Sequence, residues 1–375
     1  AIKITNYYLK LLLKYSRKTI PAVVLLLAAL FFQLILIKIT AFQEFYRHAV
    51  FLPLQRIRSR LLNHINFSIG DMIYLVLLLL LLFLFARLLI FLVTYRKNKA
   101  KIPQAFVGFF TAVIAIYALF VLIWGGNYAR PGIASQWIVK DNAVWNDSSI
   151  IRLNEFLIGQ LNATALENNL PLLNKDEVSK TAGKLYRNSF GDFFDYLKVK
   201  PASLGNGLNY FGIQGYYNPL SGEGQFNANL PDFMHPFVIA HEMAHQMGIA
   251  AEDDANLMAY IVCSSASIPV FRYSAYLNLF TYAFSELKEK LPQNAELLWD
   301  QLNQKSKDDI ALLRKIRQHY KGYLRGFSLS LYDQYLLWQG QEKGLDSYDA
   351  VTRWVYLWEM SGNAKAHMLS TIFRQ

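Results

Sequence analysis

A single cysteine, Cys263, stands among 375 residues, so no intramolecular disulfide can staple this chain. It lies in an apolar stretch and reads as a small core side chain. Acidic residues are scarce over the first third: residues 1–126 carry 2 of the 27 Asp and Glu side chains but 15 of the 38 Lys and Arg. Residues 127–375 carry the other 25 acidic and 23 basic side chains. The net charge of +11 is therefore a property of the N-terminal part. No basic face interleaved with aromatics accompanies it, which excludes a nucleic-acid partner. Internal repeats, low-complexity segments and long linkers are also missing.

What the first third has instead is uncharged apolar sequence. Residues 20–37 and 102–124 contain no charge, and residues 72–94 contain only Arg87. Each run is long enough to cross a hydrocarbon core of about 30 Å, and a buried globular helix rarely stays apolar all round for so long. Three transmembrane helices follow, with the lipid bilayer as partner. The first run is too long for a cleaved signal peptide and lacks a small-x-small cleavage site before the next charges. Ala1 in place of methionine reads as removal or trimming of the initiator. Lys3, Lys10, Lys14, Arg17 and Lys18, with Arg96, Lys97, Lys99 and Lys101, fall on one side of a three-span topology. Positive segments stay cytoplasmic, so the expected location is a bacterial cytoplasmic membrane with residues 127–375 periplasmic or extracellular. Segment 39–70 reads as an amphipathic helix on the far surface. Leu52, Leu54, Ile57, Leu61 and Leu62 would face lipid, and Arg47, Arg56, Arg58 and Arg60 the headgroups.

The expected division is thus a membrane domain, 1–126, and an extracytoplasmic domain, 127–375. Trp124 and Tyr128 suit the membrane interface. The second domain opens with amphipathic helices at 147–169, capped by Asp147, and from Lys175 to about Asn188. Residues 196–230 turn to Gly, Asn, Tyr and Phe, and read as short strands at 210–217 and 224–229 joined by a turn at 218–222. Segment 212–229 is either an edge for an extended substrate or a purely structural hairpin. Pro236 suits the first turn of the next helix. Residues 255–268 form an apolar helix that Pro269 ends, charged amphipathic helices fill 284–320, and a last helix lies near 347–360.

Within this domain, residues 241–245 spell H-E-x-x-H. On a helix His241 and His245 are four apart and share a face, so both imidazoles can hold one metal ion. Glu242 can then reach an attacking water as general base. Gly248 lets the chain leave the helix, and Glu252 can return as a third ligand, with Asp253 and Asp254 as alternatives. The apolar run Phe237 to Ala240 buries the helix, and buried polar groups need partners, one of which a metal supplies. His235 lies off the ligand face and reads as a capping or surface residue. Tyr273 and Tyr276 are candidate donors to the oxyanion of a hydrolytic intermediate, or aromatic core contacts. Arg272 could bind a substrate carboxylate or pair with the acidic cluster.

The stretch Glu252 to Asn256 resembles the E-x-x-A-[D/N] element of gluzincin-type metallopeptidases, which implies Glu252 as ligand and Asn256 as the residue orienting a ligand histidine. Residues 237–260, with Gly222 to Asn227, Phe271 to Tyr276, Tyr332 to Tyr335 and Gln339 to Gln341, resemble an uncharacterised bacterial family, domain of unknown function 3810. Many of its members carry Glu where this chain has Asp254. That resemblance implies N-terminal transmembrane helices joined to a zincin-like domain. The expected fold is therefore α+β and mostly helical, with three transmembrane helices and a zincin-like domain holding a small sheet. The expected function is a membrane-anchored zinc metallopeptidase acting on extracytoplasmic peptides or proteins, with Zn2+ on His241, His245 and Glu252. A zinc amidase acting on cell-wall peptides, or a non-catalytic zinc-containing membrane partner, would use the same residues. Intramembrane proteolysis would need the motif inside a span, and residues 231–256 are too polar for one.

Overall fold

A computed structural model describes residues 2–99, 101–133, 145–167, 173–338 and 348–360. Residues 168–169 of the first expected amphipathic helix, and Gln339 to Gln341 of the family-like sequence, lie outside them. The chain divides into two compact units. One comprises Ala1–Leu54, Ile69–Arg130 and Pro219–Ser221, the other Gln55–Ser68, Pro131–Asn218 and Gly222–Gln375.

Long apolar helices make the first unit. Helix α1 (Ile2–Lys38) extends well before the expected start, so its apolar run is the second half of a longer helix. Helix α2 (Leu52–Leu62) begins in this unit and ends in the other. Helices α3 (Ile69–Val93) and α4 (Ile102–Ile123) follow. The segments Thr19–Lys38, Ile69–Val93 and Ile102–Ile123 are long and apolar enough to cross a membrane. At 1.5 Å per residue the shortest spans about 30 Å. Phe31, Leu34, Val76 and Phe83 stay exposed in the folded chain, the kind of surface that lipid covers. The Tyr117 hydroxyl of α4 donates to Gln33 Oε1 of α1 at 2.7 Å, and Phe85 meets Phe109 between α3 and α4. Trp124 is buried against Phe51.

The second unit includes part of segment 39–70. Residues 55–68 belong to this unit, and their arginines also meet protein groups. Arg56 and Arg60 approach Asp195 at 3.6 and 3.8 Å, and Arg58 donates to Gln55 Oε1. Gln55 is fully buried and donates to the Gly222 carbonyl. Ile57 and Leu61 are exposed on the same helix.

Helix α5 (Asp147–Leu166) is capped by Asn146, whose side chain accepts from the Ser149 amide, one residue before the expected cap. Helix α6 (Lys175–Phe190) opens on a capping box between Asn174 and Glu177, which satisfies two otherwise orphaned amides. Strand β1 (Val199–Pro201) was not expected. Tyr210 and Phe211 close a short helix, α7 (Gly207–Phe211), instead of starting a strand. Gly212 ends it at φ 71°, a conformation that favours glycine. Strands β2 (Gly215–Asn218) and β3 (Glu223–Phe226) complete a sheet in the order β1-β3-β2. Strand β1 runs parallel to β3, and β2 antiparallel with Tyr217 opposite Gly224.

Helices α8 (His235–Gln246), α9 (Glu252–Ser264) and α10 (Pro269–Lys290) form the centre. They are followed by α11 (Pro292–Gln301), α12 (Gln304–His319), α13 (Tyr323–Trp338) and α14 (Tyr348–Met360). Pro269 thus opens α10 rather than closing α9. Helix α8 packs against α6, α9 and α10 as well as β2 and β3. Ile239, Ala240, Met243 and Ala244 are wholly removed from solvent, as expected of a helix apolar on most faces. Cys263 is a buried core thiol, as the sequence implied.

The sheet also encloses a charge pair. Lys200 and Glu223 are 2% and 3% exposed, with Nζ 2.5 Å from Oε1, and Lys200 also donates to the Leu62 carbonyl at 2.8 Å. Removing one partner strands the other charge in the interior. Lys200→Met should therefore destabilise this unit by about 3–5 kcal/mol, read as a lowered denaturation midpoint of the full chain in detergent. The double variant Lys200→Met/Glu223→Gln should recover part of that loss.

Candidate metal centre

Helix α8 presents His241 and His245 one turn apart, and Glu252 opens α9 after a five-residue connection. That connection works because Met247 ends α8 and Gly248 adopts φ 85°, the left-handed exit that a side chain disfavours. The reversed chain brings the Ile249 carbonyl to His245 Nδ1 at 2.6 Å. A carbonyl only accepts, so Nδ1 carries the ring proton and Nε2 keeps its lone pair.

His241, His245 and Glu252 each offer a ligand atom, all within 4.8 Å of one another. His245 Nε2 stands 3.1 Å from His241 Nε2, which is 3.2 Å from Glu252 Oε2. The other Glu252 oxygen is 3.6 Å from His245 Nε2. Three electron-rich atoms facing one another need positive charge at their centre, either a proton on His241 or a cation. Nitrogen ligands of one tetrahedral ion sit about 3.3 Å apart when each bond is about 2.05 Å, close to the separation seen.

Burial sets the electrostatics. It holds His245 down at about 4, helped by His241 and opposed by Glu252, so the ring is neutral, the form that binds metals. Burial also resists a proton on His241, but the hydrogen bond and charge of Glu252 outweigh it, aided by Glu242 and Asn256, and raise its affinity. Glu242 is 3% exposed and burial pushes it up to about 8, with His241 pulling it back. Its Oε2 has no hydrogen-bond partner among the described residues. Buried carboxyl oxygens are rarely left so.

The sheet lies against this carboxyl group. A Cβ added at Gly215 would overlap Glu242 Oε1, and one at Gly224 would press on the Glu242 Cβ at 3.1 Å. These two glycines let the helix and the strands approach as closely as they do. Tyr217 on β2 puts its ring 6.5 Å from that of His245, and its hydroxyl donates to Gln55 Oε1 at 2.7 Å. Asn256, on the next turn of α9 after Glu252, is buried beside His241.

Of the three carboxylates weighed for the cluster, Glu252 joins it. Asp254 accepts from the Ile133 amide at 2.8 Å, and Asp253 accepts from the backbone at the start of α9. Neither tyrosine proposed from the sequence joins the cluster. The Tyr273 hydroxyl donates to Asp309, and Tyr276 packs edge-on against Phe156 and Tyr260. Arg272 pairs with Glu167 rather than the acidic cluster. His235 is 1% exposed, not a surface residue, and meets Phe226 edge-on. Tyr217 was missed because the ring reaches His245 across the sheet, and Tyr282 because Glu252 acts on it through space. The glycines inside the two strands were the available signal, since glycine there marks a close approach.

A family model described as a protein of unknown function (DUF3810) matches residues 46–356. No curated protein and no solved structure matches the chain. One steric test follows from the geometry. Gly215→Ala should cost about 1–3 kcal/mol through overpacking, whereas Gly159→Ala, which meets open space on α5, should gain about 0.5–1 kcal/mol. Gly159 lies on the solvent side of α5, whose other face is buried, and paired thermal unfolding of the two variants checks the sign.

Proposed function

The chain belongs to the DUF3810 family of proteins of unknown function, and we propose that this member is a membrane-anchored, zinc-dependent metallopeptidase with a zincin-like domain. The observation that carries the proposal is the convergent set of His241, His245 and Glu252, with His245 buried and the other two partly so, beside a buried Glu242 with an unpartnered oxygen. The donor set fits zinc: two imidazole Nε2 atoms and one carboxylate oxygen, with the far nitrogen of His245 held by a backbone carbonyl, as ligand histidines commonly are. A structural zinc site closes with four protein ligands. Three side chains converge here among the described residues, which favours catalysis over a merely structural role.

When bound, the ion supplies a Lewis acid that acidifies water and polarises a carbonyl. The remaining work falls to the chain. Glu242 takes the proton of the attacking water and hands it to the leaving amine. Its raised proton affinity is compatible with shuttling near neutral pH, and a nearby cation would lower it. His245, fixed in one tautomer by Ile249, cannot swing from its position. Strand β2 is at the edge of the sheet next to Glu242, so an extended peptide can lie along it with main-chain pairing. Tyr217 on that strand, with its ring 6.5 Å from that of His245, becomes the candidate oxyanion donor. The charge asymmetry of residues 1–126 supports an extracytoplasmic domain facing peptide or protein substrates.

Two measurements test this. The full chain purified in detergent should carry one zinc per polypeptide by elemental mass spectrometry, and His241→Ala or His245→Ala should lose it. Absence of stoichiometric metal from the wild-type chain overturns the assignment. Glu242→Gln should keep the metal and lower kcat on a peptide substrate by about 10²- to 10⁴-fold. Unchanged hydrolysis would remove Glu242 from the mechanism.

A further inference from the structure

A cavity of about 380 Å³ opens in the second unit, and its lining does not itself include His241, Glu242, His245 or Glu252. Two observations tie it to them. Gly212, Ile213 and Gln214, which line it, run directly into β2 at Gly215, the residue in contact with Glu242. Tyr282, also in its wall, is pushed up by burial first and then by the charge of Glu252, with Arg317 opposing. The cavity therefore borders the segment that leads into the edge strand.

Its lining divides by chemistry. Leu277 and Phe280, both buried, and Trp299 give an apolar floor. Lys288, Arg314, Arg317 and Arg325 supply positive charge, and among the described residues no Asp or Glu lines it. Neither Arg317 nor Arg325 forms an ion pair among the described residues. Arg325 is half-buried, reaches over Gly212, and is held below its usual range by burial and by Arg317. Two like charges on one cavity wall without an acid between them favour an anion that joins them. Guanidinium groups match carboxylates in a fork geometry. The volume is at the small end of ligand pockets and suits one or two residues rather than a polymer.

We propose that this cavity is the substrate subsite for a carboxylate, held by Arg317 and Arg325, so that the enzyme selects peptides bearing a negative charge close to the scissile bond. The proposal rests on the metallopeptidase assignment. The carboxylate comes either from an Asp or Glu side chain or from the free C-terminus of the substrate.

The test uses the full chain in detergent and four versions of one peptide: Glu or Gln beside the cleaved bond, each with a free or an amidated C-terminus. Binding is measured by calorimetry with the zinc-loaded Glu242→Gln protein, and cleavage with the wild type. A charged peptide should bind about ten- to a hundredfold more tightly than its neutral counterpart, and Arg317→Gln and Arg325→Gln should each erase most of that difference. Arg317 is exposed, so its variant should fold even if the Arg325 variant does not, and thermal melting checks both. Preference for Glu over Gln identifies a side-chain carboxylate, and preference for the free C-terminus over the amide identifies carboxypeptidase-like recognition. Equal binding of all four peptides, or a preference that survives both substitutions, overturns the subsite. Failure of the wild type to cleave any of them, with charge-selective binding intact, instead counts against the peptidase assignment alone.

Discussion

Two imidazole nitrogens 3.1 Å apart, with a carboxylate oxygen 3.2 Å from one of them, are stable together only around positive charge. This demand organises the second unit. Its effect is strong because α8 is buried, where charges are poorly screened. The geometry is narrow because Ile249 fixes the tautomer of His245 and Gly248 fixes the path of the chain to Glu252. Each feature has a local cause, but only their coincidence at the end of one buried helix makes a candidate centre.

The surroundings serve the same helix. With one cysteine and no disulfide, rigidity must come from packing. Helix α8 obtains it from α6, α9 and α10 behind and from two strands in front. Gly215 and Gly224 then bring the strands onto Glu242. A larger side chain at either position would separate the sheet from the helix, and with it the edge strand from the carboxyl group that the proposed chemistry uses. Segment 55–68 adds to this frame: Gln55 ties Tyr217 and the Gly222 carbonyl together.

Much was legible because it is local. H-E-x-x-H spacing puts two rings on one face by helix geometry alone, Gly248 signals a turn, and an uncharged run of twenty residues signals a span whatever surrounds it. The capping of α6 by Asn174 and Glu177 follows from side-chain chemistry within four residues. Errors arose where a choice was shared between distant residues. Tyr210 was given to a strand because alternation in an aromatic, glycine-rich segment does not separate a strand from one helical turn. The pairing of Arg56 and Arg60 with Asp195 is not legible locally, because Asp195 lies well over a hundred residues away in sequence.

By itself, then, the sequence determined three apolar helices, a mostly helical second part and a pair of histidines with an adjacent glutamate, since periodicity and composition act over a few residues. Only the tertiary structure decided that Glu252 rather than Asp253 or Asp254 meets those histidines, because Asp254 is taken by the Ile133 amide. Only it removed Tyr273 and Tyr276 from the cluster and brought Tyr217 to it. A side chain's partner depends on which surfaces pack together. That is fixed by the burial of whole helices and by the few positions, here two glycines, where backbones can approach closely.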